Sequence, residues 1–385
     1  MQNFSFYNPV KIVFGKNTIS QLNQLIDKKD KILLTYGGGS IKKNGIYKQV
    51  KSALKNRKVV EFGGIEPNPS YETCIKAVNL GKKEKINFVL AVGGGSVIDG
   101  SKFIAAAIPF KGKDPWQIVK SGGADVKSVI PFGTVLTLAA TGSEMNTFAV
   151  ISKLSTKEKL AFGTPLCYPR FSILDPETTY SLDKKQLRNG IVDTFVHVSE
   201  QYATTNLNTP LQDRFAEGIY KTIIDIAPAV MTGKKDYNSR ASFMWCATLA
   251  LNGLINRGVQ EDWSTHSIGH EMTAFFGLAH AETLAIILPA VWKYELKNKA
   301  DKLAMLAENV WGIKKGTKQQ KAKAAIDRTV KFFNFLSMPT SLKAYNLTLA
   351  DCQKVIDRAA KRRWQIGENG DINANALKKI FKLCL

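Results

Sequence analysis

The sequence predicts an α/β domain built on a parallel, Rossmann-like sheet, followed by an all-α domain. Three observations carry that expectation. Short β-rich runs alternate with helical patterns through the first half of the chain, and strand signals almost vanish after about Ser181. Two Gly-Gly-Gly-Ser tracts, Gly37–Ser40 and Gly93–Ser96, each follow an apolar strand run and open a helical one. Continuously apolar strands alternating with helices imply a sheet covered on both faces. The Leu174-Asp175-Pro176 turn marks the change of character, and the expected domains are residues 1–178 and 179–385.

In chain order, Lys31–Tyr36 reads as a buried strand, and the first glycine tract leads into a helix reaching about Lys55. Lys58–Phe62 is a second strand, Tyr71–Lys85 is helical, and Asn87–Val92 is a third strand whose glycine tract opens a helix through Ala106. Further strands are expected at Val129–Val135, Ala149–Ser152 and Phe171–Asp175. Beyond them the apolar residues recur with a helical period, as in Leu211–Ala227, Arg240–Leu254 and Ala300–Trp311.

With 385 residues, 44% of them apolar, the chain has enough material for a large core and two domains. Five cysteines (Cys74, Cys167, Cys246, Cys352, Cys384) form no C-x-x-C pair, which points to a reducing compartment rather than a disulfide framework. The N-terminus lacks the pattern of a signal peptide, and Phe88–Val92 and Thr283–Val291 are too short or interrupted to span a bilayer, so a soluble cytoplasmic protein is expected. The net charge of +22 suits anionic ligands, a phosphorylated cofactor included. The lysines are dispersed over helical faces, and specific nucleic-acid binding is not expected.

Glycine-rich turns between strand and helix bring backbone N–H groups close to phosphate oxygens, with the helix N-terminus adding partial positive charge. Two such turns in one α/β half point to a dinucleotide, although neither matches G-x-G-x-x-G. NAD sites commonly place a carboxylate at the end of a strand; here Gly37, Gly38, Gly39 and Ser40 follow the first strand with no acid among them and Lys42 and Lys43 just beyond, which favours NADP(H), whose 2′-phosphate an acid would repel. The polar stretch Thr137–Asn146, directly after a strand, is placed to bind phosphate or the nicotinamide amide.

All four histidines fall between positions 197 and 280. Asp193 and His197 are four apart on one helix, His266 and His270 repeat that spacing, and His280 follows a Gly277-Leu278-Ala279 turn. Side chains at i and i+4 share a helix face, so these are five candidate ligands for a divalent cation. Glu200 and Glu271 are set aside, because their helical angles differ from those of the paired histidines. Imidazole and carboxylate without thiolate suit Fe²⁺, Zn²⁺, Mn²⁺ or Ni²⁺ in a Lewis-acid role beside a nicotinamide.

Together these residues resemble the iron-dependent alcohol dehydrogenase family, and within it the butanol dehydrogenase and NADPH-dependent aldehyde reductase branch. The resemblance runs through Pro9–Gly15, Tyr36–Ser40, Glu66–Pro69, Gly93–Asp99, Ala140–Glu144, Leu174–Pro176, Asp193/His197, Thr265–Glu271 and Gly367–Asn369. It implies metal ligands at Asp193, His197, His266 and His280, with His270 left near the nicotinamide as a candidate proton relay. It implies that Gly37, Gly38, Gly39 and Ser40 receive the 2′-phosphate and that Gly94, Gly95 and Ser96 receive the pyrophosphate. Asp99, Thr137, Thr141, Asn146 and Lys159 are carried over as further cofactor contacts. Ala281 stands where many relatives have glycine, a change confined to local loop geometry. The implied protein is a homodimer with its cleft between the domains, reducing aldehydes to primary alcohols with NADP(H). A dehydroquinate-synthase-like enzyme, an NAD-linked glycerol-type dehydrogenase and a basic polyanion-binding protein are the competing readings.

Overall fold

The computed structural model describes residues 1–385, which pack into two compact units. The first comprises residues 7–183 together with 233–248. Its strands are β1 (Lys11–Phe14), β2 (Lys31–Tyr36), β3 (Lys58–Phe62), β4 (Phe88–Gly94), β5 (Phe132–Leu138), β6 (Phe148–Lys153), β7 (Glu158–Gly163) and β8 (Phe171–Leu174). Six of them form a parallel sheet in the order β1-β8-β5-β4-β2-β3. From β4 the chain proceeds to β5 on one side, having arrived from β2 and β3 on the other. The carboxyl ends of β5, β4 and β2 therefore flank a topological switch point, where open α/β sheets receive ligands.

The central strands are buried on both faces, as parallel pairing requires: Ile32, Leu33, Leu34, Val89, Leu90 and Ala91 have no exposed surface. The core packs to atomic tolerance. Phe88 and Phe171 stack with ring centroids 6.1 Å apart, and a Cβ at Gly133 would collide with the Phe171 ring, 2.3 Å from Cζ.

Several local expectations change. The helix expected from Ser40 to Lys55 is two pieces, Ser40–Lys43 and Ile46–Ala53, interrupted at Asn44 and at Gly45, which takes φ +86°. The strand expected from Val129 begins instead at Phe132, after Pro131, whose missing N–H disfavours a central strand. The Ala149–Ser152 strand does form, but in an antiparallel hairpin of β6 with the unforeseen β7, outside the parallel sheet.

The second unit, residues 1–6, 184–232 and 249–385, is helical. Its Lys184–Tyr202 helix is buried continuously from Gly190 to Tyr202, an all-round burial that marks a central helix. Ile268, Met272, Ile286, Ile287, Val355, Leu377 and Phe381 form much of its remaining core. Two short segments cross the boundary expected at residue 178: residues 1–6 pack with the helical unit, and residues 233–248 with the sheet unit. The latter is held by side-chain contacts such as Phe14 edge-on to Trp245 at 5.9 Å and the Arg240 guanidinium donating to the Thr179 carbonyl at 3.3 Å. No helix is long and apolar enough to cross a membrane.

Gly133→Ala should lower stability by about 1–3 kcal/mol, because the new methyl must displace the Phe171 ring from its stack. A fall in the urea midpoint at constant slope is the expected result.

Candidate functional site

Three helices bring the metal candidates together. Asp193 and His197 lie one turn apart on Lys184–Tyr202, His266 lies on Ser264–Phe276, and His280 opens His280–Tyr294. The last two helices can converge because residue 269 is glycine: a Cβ there would lie 2.8 Å from Thr283 Oγ1 and 3.2 Å from Leu284 Cδ2. The Asp193 Oδ1 atom then sits 3.7 Å from His197 Nε2, 3.9 Å from His266 Nε2 and 3.7 Å from His280 Nε2. Ligand atoms of Asp193, His266 and His280 all lie within 4.8 Å of one another. Bonds of roughly 2.0–2.2 Å to a four-coordinate cation require ligand atoms roughly 3.3–3.6 Å apart; the Asp193–histidine distances are near this, and Asp193, His266 and His280 form the tightest set, with His197 outside it. Asp193 Oδ1 is buried and accepts no hydrogen bond, an expensive state for a carboxylate oxygen unless a cation neutralises it.

His270 stands beside this group, its ring centroid 5.2 Å from that of His280 and 6.2 Å from that of His266. Glu271 turns away and is clamped by Arg358 at 2.7 Å and Arg362 at 2.6 Å.

Glu200 has a role that its exclusion as a ligand concealed. Its carboxylate bonds His266 Nδ1 and accepts from the backbone N–H of Thr265 at 2.6 Å and of His266 at 3.2 Å. It thereby orients the imidazole with Nε2 toward Asp193 and satisfies the first amides of the histidine helix. Burial, reinforced by the Asp262 carboxylate, pushes the Glu200 pKa up to about 8. The signal was present in the sequence: Glu200 follows Asp193 by seven residues, two helical turns on the same face. Behind it, Lys299 is buried between Asp262 at 2.8 Å and Glu368 at 2.9 Å, which gives the Gly367–Asn369 motif a structural role. Trp263 precedes the helix with left-handed backbone (φ +60°), its ring edge-on to His266 at 5.3 Å.

In the sheet unit the glycine tracts differ from each other. After β2, a Cβ on Gly38 or Gly39 would meet nothing within 4 Å, so open space adjoins this backbone, and Gly39 takes φ +96°. Ser40 begins the short helix that follows, and the Lys42 ammonium lies over the Tyr36 and Tyr47 rings at 5.0 and 5.2 Å. The second tract is crowded from within. β4 runs to Gly94 and passes directly into helix Gly95–Ala107, with no loop between them. A Cβ on Gly93 would lie 2.5 Å from Val97, one on Gly94 would lie 2.9 Å from Leu138, and one on Gly95 would collide with Thr141.

The remaining cofactor candidates fall into two hydrogen-bonded groups, with Thr137 apart from both. Ser96 Oγ accepts from Asn68 N–H at 3.3 Å, and the Asn68 side chain accepts from Lys159 Nζ at 2.8 Å, so the Glu66–Pro69 motif links the two. Thr137 is buried near the end of β5, and Thr141 Oγ1 accepts from Ser143 N–H at 3.2 Å. Asp99 is turned onto its own chain, accepting from Ser143 Oγ at 2.6 Å and Val150 N–H at 2.9 Å. Asn146 donates to Gly142 O at 2.9 Å and accepts from Phe148 N–H at 3.0 Å. A residue the sequence reading passed over, Lys102, also reaches Asn146, at 3.1 Å.

Residues 9–176 match the family model described as iron-containing alcohol dehydrogenase, and residues 188–385 match its C-terminal counterpart, described as Fe-containing alcohol dehydrogenase family, C-terminal. The chain is 48% identical to the NADPH-dependent aldehyde reductase YqhD of Escherichia coli over 99% of each sequence. It is 44% identical to NADP-dependent alcohol dehydrogenase 3 of Entamoeba histolytica over 90% of each. The crystal structure of NADH-dependent butanol dehydrogenase A from Thermotoga maritima superposes with a TM-score of 0.94 at 34% identity, over 100% of this chain and 99% of that one.

Glu200→Ala should weaken divalent-metal affinity by about 10–100-fold, the usual cost of removing the group that orients a ligand histidine. Competition for the metal against a chromophoric chelator measures it; unchanged affinity would show that His266 is oriented by other contacts.

Proposed function

The chain belongs to the iron-containing alcohol dehydrogenase family, and on that premise we propose that it catalyses the reversible, NADP(H)-linked reduction of aldehydes to primary alcohols. The observation that carries the reading is the buried, hydrogen-bond-free Asp193 oxygen ringed by three imidazole nitrogens. When bound, a divalent metal (Fe²⁺ or Zn²⁺ foremost) supplies the Lewis acid that polarises a carbonyl, and the nicotinamide supplies the hydride.

The chain's own residues do the rest. Asp193, His197, His266 and His280 hold the cation, and Glu200 keeps the His266 Nε2 lone pair available by accepting the proton side of that ring at Nδ1. Gly37, Gly38, Gly39 and Ser40 receive the 2′-phosphate, where the open space beside Gly38 and Gly39 and the nearby Lys42 suit an anion, while Gly37 packs against the Ile65 carbonyl. Gly94, Gly95 and Ser96 present backbone amides to the pyrophosphate at the N-terminus of a 13-residue helix. Thr137, Thr141, Asn146 and Lys159 serve the nicotinamide side. Asp99 shapes that side from beneath, since both of its oxygens are already engaged. His270, beside His280, passes the proton to the product oxygen directly or through water.

Two relatives named as NADPH- and NADP-dependent, 48% and 44% identical, support NADP(H); probable NADH-dependent butanol dehydrogenases of Bacillus subtilis are 41% and 39% identical, so the acid-free Gly37–Ser40 loop carries the preference. The proposal extends to a cytoplasmic homodimer. Five free, buried cysteines support a reducing compartment, and sedimentation of the purified protein tests the dimer.

Mixing the metal-loaded protein with NADPH and butanal should deplete the 340 nm absorbance, and a strong chelator should abolish the rate until metal is restored. No chelator-sensitive oxidation across a panel of aldehydes would overturn the reading. His266→Ala should lose both bound metal and turnover, and metal retained at full stoichiometry would remove His266 from the ligand set. Gly39→Asp should shift the NADPH-to-NADH preference toward NADH by about tenfold or more, roughly 1.4 kcal/mol; an unchanged ratio counts against the 2′-phosphate assignment.

A further inference from the structure

Lys102 is fully buried on helix Gly95–Ala107, three residues after Asp99 and on the same side of the helix. Its ammonium spends its donors on a single segment: Ser143 Oγ at 2.8 Å, Asn146 Oδ1 at 3.1 Å and the Phe148 carbonyl at 2.7 Å. Asp99 grips the same segment through Ser143 Oγ and Val150 N–H. The helix that carries Gly95 and Ser96 in its first turn is thus fastened to the connection between β5 and β6, which carries Thr141 and Asn146.

A buried ammonium is costly even when paired, and an apolar side chain of similar length would fill the space without desolvating a charge. What the ion supplies is geometry. Lysine has no acceptor, so together with the Phe148 N–H at 3.0 Å it selects which end of the Asn146 amide faces it: Oδ1 turns to Lys102 and Nδ2 to the Gly142 carbonyl at 2.9 Å. Without it the amide loses its charged anchor, while Asp99 still holds Ser143 and Val150, Ser172 and Thr248 hold Glu144, and Asn8 holds the Met145 carbonyl, so the loss falls on Asn146 and the Phe148 carbonyl.

We propose that Lys102 is a positioning residue for the nicotinamide end of the cofactor, holding Asn146 and residues 141–148 in binding geometry without touching the cofactor. The inference rests on the assignment, made above, of this connection to the nicotinamide side and of Gly37–Ser40 to the adenosine side.

Calorimetric titration of metal-loaded protein with two probes tests it: NADPH, and adenosine 2′,5′-bisphosphate, which lacks the nicotinamide half. For Lys102→Met the NADPH Kd should rise about tenfold or more, whereas the bisphosphate Kd should stay within about twofold of wild type. Equal weakening of both probes would mean a general loss of structure and would overturn the proposal, as would NADPH affinity unchanged within about twofold. Ser143→Ala removes one of the three acceptors and, with it, one of Asp99's two donors, and should shift NADPH alone in the same direction. Should Lys102→Met not fold, Lys102→Gln, which removes the charge and leaves the Ser143–Asp99 bond in place, decides by the same two criteria. A wild-type protein that binds neither probe would overturn the cofactor reading itself, and this inference with it. Wild-type binding of both with no selective loss in the variants would overturn the inference alone.

Discussion

A buried carboxylate oxygen with no hydrogen-bond donor is the constraint around which the helical unit is arranged. Asp193 Oδ1 faces three imidazole Nε2 atoms at 3.7–3.9 Å and accepts no hydrogen bond, so positive charge among them would offset the cost of burying it. Everything that brings the three rings to that point follows from packing. Gly269 lets two helices close on each other, Glu200 turns His266, and Lys299 neutralises the acids behind Glu200. The buried charges of this unit are therefore linked in series, from Glu368 through Lys299 and Asp262 toward Glu200 and the histidines.

The sheet unit solves a different problem, which is to present backbone where side chains would block a ligand. Its two glycine tracts look identical in sequence but meet opposite demands. Gly38 and Gly39 border open space, with Gly39 in a left-handed conformation, and there the missing side chain leaves room for a ligand. Gly93, Gly94 and Gly95 are bare because the protein itself fills the volume, with Val97, Leu138 and Thr141 pressed against them. The consequence is a strand that becomes a helix without a loop, so that the first amides of that helix lie at the carboxyl edge of the sheet, beside the switch point.

Much of this could be read along the chain because it is local. The alternation of strands and helices, the glycines after β2 and β4, and the i, i+4 pairing of Asp193 with His197 each involve residues within a few turns of one another. Glu200 is equally local, two turns from Asp193 on the same helix face, although its angle differs from those of the paired histidines. The β6–β7 hairpin was half visible: Ala149–Ser152 has a strand pattern, but nothing in it says that its partner is β7 and not the parallel sheet.

The amino-acid sequence by itself determined the kinds of group available: a thiolate-free cluster of candidate ligands, two glycine tracts at strand ends, an acid-free loop after β2, and the alternation that makes a parallel sheet. Only the tertiary structure decided which atoms meet. The Glu200–His266 pair spans 66 positions, Lys102–Asn146 spans 44 and Lys299–Glu368 spans 69. Such pairings depend on how helices and strands pack after they form, and periodicity along a chain carries no record of the partner across the core. The same physics makes Lys102 look like one more lysine in the sequence, when the fold has removed it from water and given it a single segment to hold.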